Sequence, residues 1–242
     1  MKLTQKFIFL LAFAGLIIGC AQAPESDDAK TGEAEDIEQP EEETSMTYAL
    51  DTDESNILWV ATKPTGRHNG TIDISQGQFM VEDGEIKGGK ITIDMSTVFV
   101  EDLVDSPEDK AKLEKHLKSD DFFHVDSIPT ASFEVAEVMP YQAPAETEEE
   151  ASTEEGEEEN QYKIENPTHT IRGNLTLKGV TKSVEFPAKV SMQDGTMTAE
   201  ARFNIDRTNW GISYMEEGSA QDKFIHNTVN VGFDLKASSA SM

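Results

Sequence analysis

The chain has few residues able to do chemistry. It contains one cysteine, Cys20, and five histidines: His68, His116, His124, His169 and His226. With a single thiol there is no disulfide, no thiolate metal site and no cysteine nucleophile in the folded part. None of the histidines stands at a metal-ligand spacing such as H-x-x-H or H-E-x-x-H. His116 and His124 flank an aromatic pair, Phe122-Phe123, and with Asp120 or Asp121 they form either a small metal site or a set of hinge hydrogen bonds. No G-x-S-x-G elbow and no phosphate-binding glycine loop is present. Asp206-Arg207, just ahead of Trp210-Gly211, reads as an ion pair at a rim or as a site for an anionic head group. These absences predict a protein with no catalytic residue, no metal and no cofactor.

The setting of Cys20 explains why it stands alone. Lys2 and Lys6 give a positive start, and Phe7 to Ile18 give an apolar run too short to span a membrane. Ile17-Ile18-Gly19-Cys20 then reads as a bacterial lipobox. Residues 1–20 are therefore expected to be a lipoprotein signal peptide, with Cys20 the cleavage and lipidation point. More than one acyl chain on Cys20 suffices for stable anchoring, at ~0.8 kcal/mol per buried CH₂. The expected location is the bacterial cell envelope, lipid-anchored, on the outer membrane and facing the periplasm or the exterior.

The elements that follow are mostly strands. Ile57, Trp59 and Ala61 alternate with Leu58, Val60 and Thr62 in a strand apolar on both faces, before a turn in the segment TGRHNG. Ile72 and Ile74 share a parity that Phe79 and Val81 reverse, which predicts a bulge near Gly77. Ile91, Ile93 and Met95 continue after the Glu82-Asp83-Gly84 hairpin. Further along, period-two apolar sets run through Ile171 to Leu177, Val180 to Val190, Met197 to Ile205 and Val229 to Leu235, with tight turns at Lys178-Gly179 and Asp194-Gly195. Polar residues on the other parity predict antiparallel sheet, solvated outside.

One helix interrupts this pattern. Ser106 is placed to N-cap it, Pro107 suits its first position and Asp109 sits at the capping-box position. Leu113 and Leu117 share a face. The helix is expected to end near Ser119, to be followed by Phe122-Phe123 and, after Pro129, by a strand with Ala131, Phe133 and Val135 on one parity. It either closes the end of a barrel or simply connects two strands. A single helix cannot cover a large sheet, so the sheet must close, which also removes its edges. The predicted fold is all-β: a closed antiparallel barrel of about eight strands, with one short helix near residues 107–118. Such a barrel is filled by side chains or holds one small ligand. Small or adaptable inward residues (Gly173, Ala188, Met197, Ala199, Ala201) lean towards a cavity.

Charge divides the chain into parts. The net charge is -27, and 18 of those charges fall in two tracts, Glu25–Glu43 and Glu146–Glu159. Both lack the apolar residues that offset chain entropy. Residues 21–46 are expected to be a disordered acidic tether, 47–237 the barrel, 143–160 a disordered acidic insertion and 238–242 a tail. The sign of the charge argues against nucleic acid as a partner.

Several long stretches resemble one family: YALDTDESNILWVATKPTGRHNGTIDISQGQF, GGKITIDMSTV, HLKSDDFFHVDSIPTASFEV, GNLTLKGVTKSVEFPA, FNIDRTNWGISY and VNVGFDLKA. Together they are similar to the YceI-like lipid/polyisoprenoid-binding family, from about Thr47 to Ala237. Two departures are His124, where the family often has Asp, and the lengthened loop Tyr141 to Asn160. The resemblance implies a lipocalin-like barrel, secreted or periplasmic, whose apolar tunnel holds a polyisoprenoid or similar long-chain lipid without catalysis. The inward parity then names the tunnel residues: Trp59, Phe79, Ile91, Ile93, Phe133, Leu175, Leu177, Phe186, Phe203, Val229, Val231 and Phe233. Phe122, Phe123, Trp210 and Tyr214 are expected at the mouth or lid. The same residues would serve a filled barrel displayed as a structural or interaction module, which is the competing function.

Overall fold

The computed structural model describes residues 23–38, 40, 45–143, 160–218 and 224–239. The signal segment with Cys20 and the whole second acidic tract, Glu146–Glu159, lie outside the described residues. Eleven strands and one helix are described: β1 (Lys30–Glu33), β2 (Met46–Leu50), β3 (Asn56–Lys63), β4 (Gly66–Glu82), β5 (Glu85–Asp94), β6 (Phe99–Val100), α1 (Pro107–Lys118), β7 (Thr130–Pro140), β8 (His169–Leu177), β9 (Val180–Gln193), β10 (Thr196–Asp206) and β11 (Thr228–Ser239).

Antiparallel pairing runs β9-β10-β11, through β2 and β3 to β4, then β5-β7-β8, and closes from β8 back to β9. β2 and β3 share one position. β2 pairs the end of β11 and the end of β4, whereas β3 pairs the beginnings of both. The result is a closed eight-position barrel, as the alternation predicts.

Three hairpins rest on left-handed residue pairs, with φ of 53° and 80° at Asp83-Gly84, 50° and 76° at Lys178-Gly179, and 50° and 75° at Asp194-Gly195. Positive φ at both central residues is the turn whose twist matches paired strands. In β4 the register against β5 shifts between Ile74 and Gln76, so the bulge sits at Ser75, two residues before Gly77. It moves Phe79 and Val81 onto the inward parity. The TGRHNG segment is mostly strand: only Pro64-Thr65 turns, and β4 begins at Gly66.

Helix α1 starts at Pro107 without a side-chain hydrogen bond from Ser106; the Ser106 carbonyl instead accepts from Lys110 N–H at 2.9 Å. The expected capping box is therefore not formed. The Glu114 carboxylate takes its place as a tie to the barrel, accepting from the backbone N–H of Val100 at 3.0 Å and pairing with Lys110. Leu117 is buried and Leu113 packs beside it. After Ser119, His124 adopts φ 53° and its carbonyl accepts from Ser127 and Ile128 N–H. That backbone region is enriched in Asn, Asp and His, so His124 suits the turn it makes.

The acidic tether is not wholly free. β1 pairs antiparallel with Lys182–Glu185 of β9, and Asp28 bridges Asn204 of β10. β9 and β10 pair each other only between Lys189–Gln193 and Thr196–Glu200, so this N-terminal strap fills the seam where they part. Lys30 meets Glu185 at 2.6 Å and Lys182 meets Glu33 at 2.9 Å. The Asn174 side chain exchanges two hydrogen bonds with the backbone of Glu35, at 2.8 and 2.9 Å. Expecting disorder throughout 21–46 was too broad, because partners more than a hundred residues away satisfy this short stretch of backbone.

Candidate functional site

Inward-facing side chains leave a cavity of about 170 Å³ in the half of the barrel beneath α1. Strand alternation places its walls, since residues two apart on a strand face the same side. Trp59, Ile91, Ile93, Phe133, Leu175, Leu177, Phe186, Phe203, Val229, Val231 and Phe233 all line it. Phe79 does not. It lines a second void of about 20 Å³ at the opposite end of the barrel. Several wall residues, among them Phe133, Leu175, Leu177, Val229 and Val231, point inward yet are only partly buried, because they face the empty space.

At the helix end, Leu117, Phe122 and Phe123 complete the wall. Phe122 is buried and packs edge-on against His116, with ring centroids 5.0 Å apart, and Tyr214 lies 4.8 Å from His116 and 5.3 Å from Phe122. Tyr214 therefore braces the hinge from outside the cavity. Trp210 is fully buried and donates Nε1–H to the Leu175 carbonyl at 3.0 Å, and it does not touch the cavity. It belongs to the short 3-10 turn Arg207–Trp210, not to the mouth. The expected mouth position is thus not found for Trp210; a buried indole with its N–H satisfied is a packing strut.

The lining also includes residues outside the expected tunnel set. Met95 comes from a 3-10 turn, and Ile212 and Ile225 come from the connection between β10 and β11, where no period exists. Among the described residues, Arg207 is the one charged side chain in the lining. It makes no ion pair with Asp206, whose carboxylate instead accepts from the N–H and hydroxyl of Thr208. The Arg207 guanidinium donates to three backbone carbonyls, His226 at 3.1 Å, Ile212 at 2.5 Å and Ile225 at 3.0 Å. Burial pushes its pKa down from the ordinary value, offset in part by Asp206, Glu216 and Glu217. Its structural work is plain: it ties the connection carrying Ile212 and Ile225 to the barrel end.

Among the described residues, no group of three or more His, Cys, Asp or Glu side chains is arranged to hold a metal. His116 instead meets Asp121, Nε2 to Oδ2, at 3.1 Å. The cavity therefore offers apolar contact and shape. Its buried polar group besides Arg207 is the Trp59 indole, whose Nε1–H has no hydrogen-bond partner among the described residues.

Comparison with known proteins agrees with this architecture. A family model described as YceI-like domain matches residues 48–237. A UPF0312 protein of Pseudomonas aeruginosa (strain LESB58) is 29% identical over 121 residues, which are 50% of this chain and 48% of that protein. The chain thus spans about half the length of the curated relatives it matches. The crystal structure of Burkholderia cenocepacia BcnA superposes with a TM-score of 0.54 at 20% identity, covering 78% of this chain and 99% of that one, and so shares the fold. A polyisoprenoid binding domain from Saccharophagus degradans, implicated in plant cell wall breakdown, matches at a TM-score of 0.49 and 15% identity over 81% of this chain and 99% of its own. With the model matched over most of its length and the barrel closed as described, the chain belongs to the YceI-like domain family.

Proposed function

We propose that this protein binds a long-chain amphiphilic lipid of the polyisoprenoid class in the cavity beneath α1, without catalysis. The observation that carries the reading is the cavity itself: about 170 Å³, walled by aliphatic and aromatic side chains, under a hinge of Leu117, Phe122 and Phe123. Empty apolar space in a protein interior is destabilising, and interiors are otherwise close-packed, so a void of this size needs a reason. Each CH₂ buried there is worth ~0.8 kcal/mol, enough for a chain to bind with few polar contacts. The cavity is close in size to the ~150 Å³ that holds one benzene and below the ~300 Å³ of common ligand pockets. A chain ligand would thus enter with its leading units, and wall side chains would shift to admit more.

The lipobox-like run supports a second part of the proposal: Cys20 carries acyl chains and anchors the barrel to a membrane of the bacterial cell envelope. Cys20→Ser should then move the protein from the membrane fraction to the soluble one. Continued sedimentation of a processed variant with membranes would contradict the anchor.

Organic extraction of the purified Cys20→Ser chain, followed by mass spectrometry, tests the carrier reading. A prenyl or other long-chain lipid at near-stoichiometric amount is the expected result. No lipid, together with no saturable uptake of an added one, would leave a barrel that serves as a structural module.

A further inference from the structure

The two voids lie end to end along the strands. On β11 the larger is lined by Val229, Val231 and Phe233, and the smaller by Phe233 and Leu235. On β7 the change comes at Phe133, which lines both. Ile91, Phe133 and Phe233 are the residues common to the two linings, so they make the partition. Ile91 and Phe133 are register partners on adjacent strands. β11 stands four positions away from β7 in the eight-position barrel, on the opposite wall. From these two walls the rings of Phe133 and Phe233 converge on Phe186, with centroids 5.7 and 5.8 Å away, and Phe186 stacks on Phe203 at 4.0 Å.

The Phe133 ring lies against Gly173 of the adjacent strand. A Cβ on Gly173 would lie 2.3 Å from the Glu134 carbonyl oxygen and 2.6 Å from Phe133 Cζ, so glycine lets both the strand and the ring keep their places. No hydrogen bond holds the aromatic layer, and beyond it a further void already exists.

Resting on the chain-lipid reading above, we infer that Phe133 and Phe233, with Ile91, form a floor that sets the length of chain the cavity accepts. From Val229 to Phe233 is four residues, about 13 Å along a strand; Leu235 lies about 7 Å further. Removing a floor ring joins the two voids and lengthens the chamber by about half. The ligand class is thereby narrowed to chains whose first few units end against aromatic rings, with the remainder and the head group at the helix end.

The test uses the chain from residue 20 carrying Cys20→Ser, purified without detergent. Geraniol, farnesol, geranylgeraniol and solanesol, in order of length, compete against a fluorescent apolar probe, 1-N-phenylnaphthylamine. Phe133→Ala and Phe233→Ala should each move the preferred prenol at least one step longer, with the longer prenol gaining about tenfold in affinity. Val231→Phe, which adds a ring above the floor and removes nothing, should move the preference one step shorter and keeps the test alive if the alanine variants fold poorly. An unmoved preference in folded variants of a parent that binds prenols would overturn the floor alone. A folded parent that binds no prenol would overturn the carrier reading and the floor with it.

Discussion

The two halves of this barrel are built from the same strands with the same alternation, yet one is open and the other is filled. Beneath α1 the inward set is large and aliphatic or aromatic, and it encloses about 170 Å³. At the far end the set includes Ala188, Met197, Ala201 and Ala237, each with no accessible surface, and only about 20 Å³ stays empty. Small side chains were expected to leave room. Here they let neighbouring groups come close, and the space is taken by Tyr48, Phe79 and Leu235 in the same buried cluster. The open half owes its space to larger residues that meet across the barrel only at the aromatic layer of Phe133, Phe186, Phe203 and Phe233. Side-chain volume at one position therefore does not forecast a cavity; the fit between opposite walls does.

Substitutions in matched pairs sharpen that contrast. The largest effect is expected from truncation. Met197→Ala, at a site with no accessible surface in the filled half, should destabilise by ~2–5 kcal/mol in denaturant unfolding. Leu177→Ala, whose side chain already faces the cavity, forfeits fewer contacts and should lose about half as much. Equal losses would break the distinction.

Enlargement reverses the direction of the argument. Ala201→Leu has no space to enter and should cost ~1–3 kcal/mol. Ala61→Leu extends into the cavity and should leave thermal stability almost unchanged while weakening uptake of an apolar probe. If both variants melt alike, the cavity is not available space.

The smallest effect concerns the helix that roofs the open half. Burial raises the Glu114 pKa, but hydrogen bonds from Lys110 and the Val100 N–H outweigh it, so the net shift is downward. A carboxyl with a lowered folded-state pKa adds stability above its unfolded pKa, and that stability is lost as the pH falls through the lowered value. Glu114→Gln should therefore cost less than ~1 kcal/mol at neutral pH, and the gap from the parent should close on acidification. A gap that widens in acid would contradict this assignment.

How much of this was legible in the sequence follows from the range of the forces involved. Hairpin pairs such as Asp194-Gly195 act locally, and they were readable. Inward parity is also local, which is why Trp59, Phe133, Leu175 and Val231 could be named from period two alone. Phe79 was assigned to the right face but the wrong half, because depth along the barrel depends on register between strands. Trp210 and Tyr214 sit beyond the last periodic residue, and only their packing partners decide where they lie. The strap from Asp28 to Glu33 was hidden for the same reason: its composition is that of a solvated tract, while its pairing partners come from β9 and β10. Arg207 looked like half of an ion pair because Asp206 is its neighbour in sequence, whereas the fold turns Asp206 to Thr208 and gives Arg207 three carbonyls.

The chain carries its own reporter for the central claim. It has two tryptophans; Trp59 lines the cavity, and Trp210 is fully buried away from it. Titration with farnesol should produce a saturable change in intrinsic fluorescence in the parent chain and none in Trp59→Phe, whose remaining emission comes from Trp210. A saturable change that survives Trp59→Phe, or no change in the parent, would contradict a chain ligand in the cavity beneath α1.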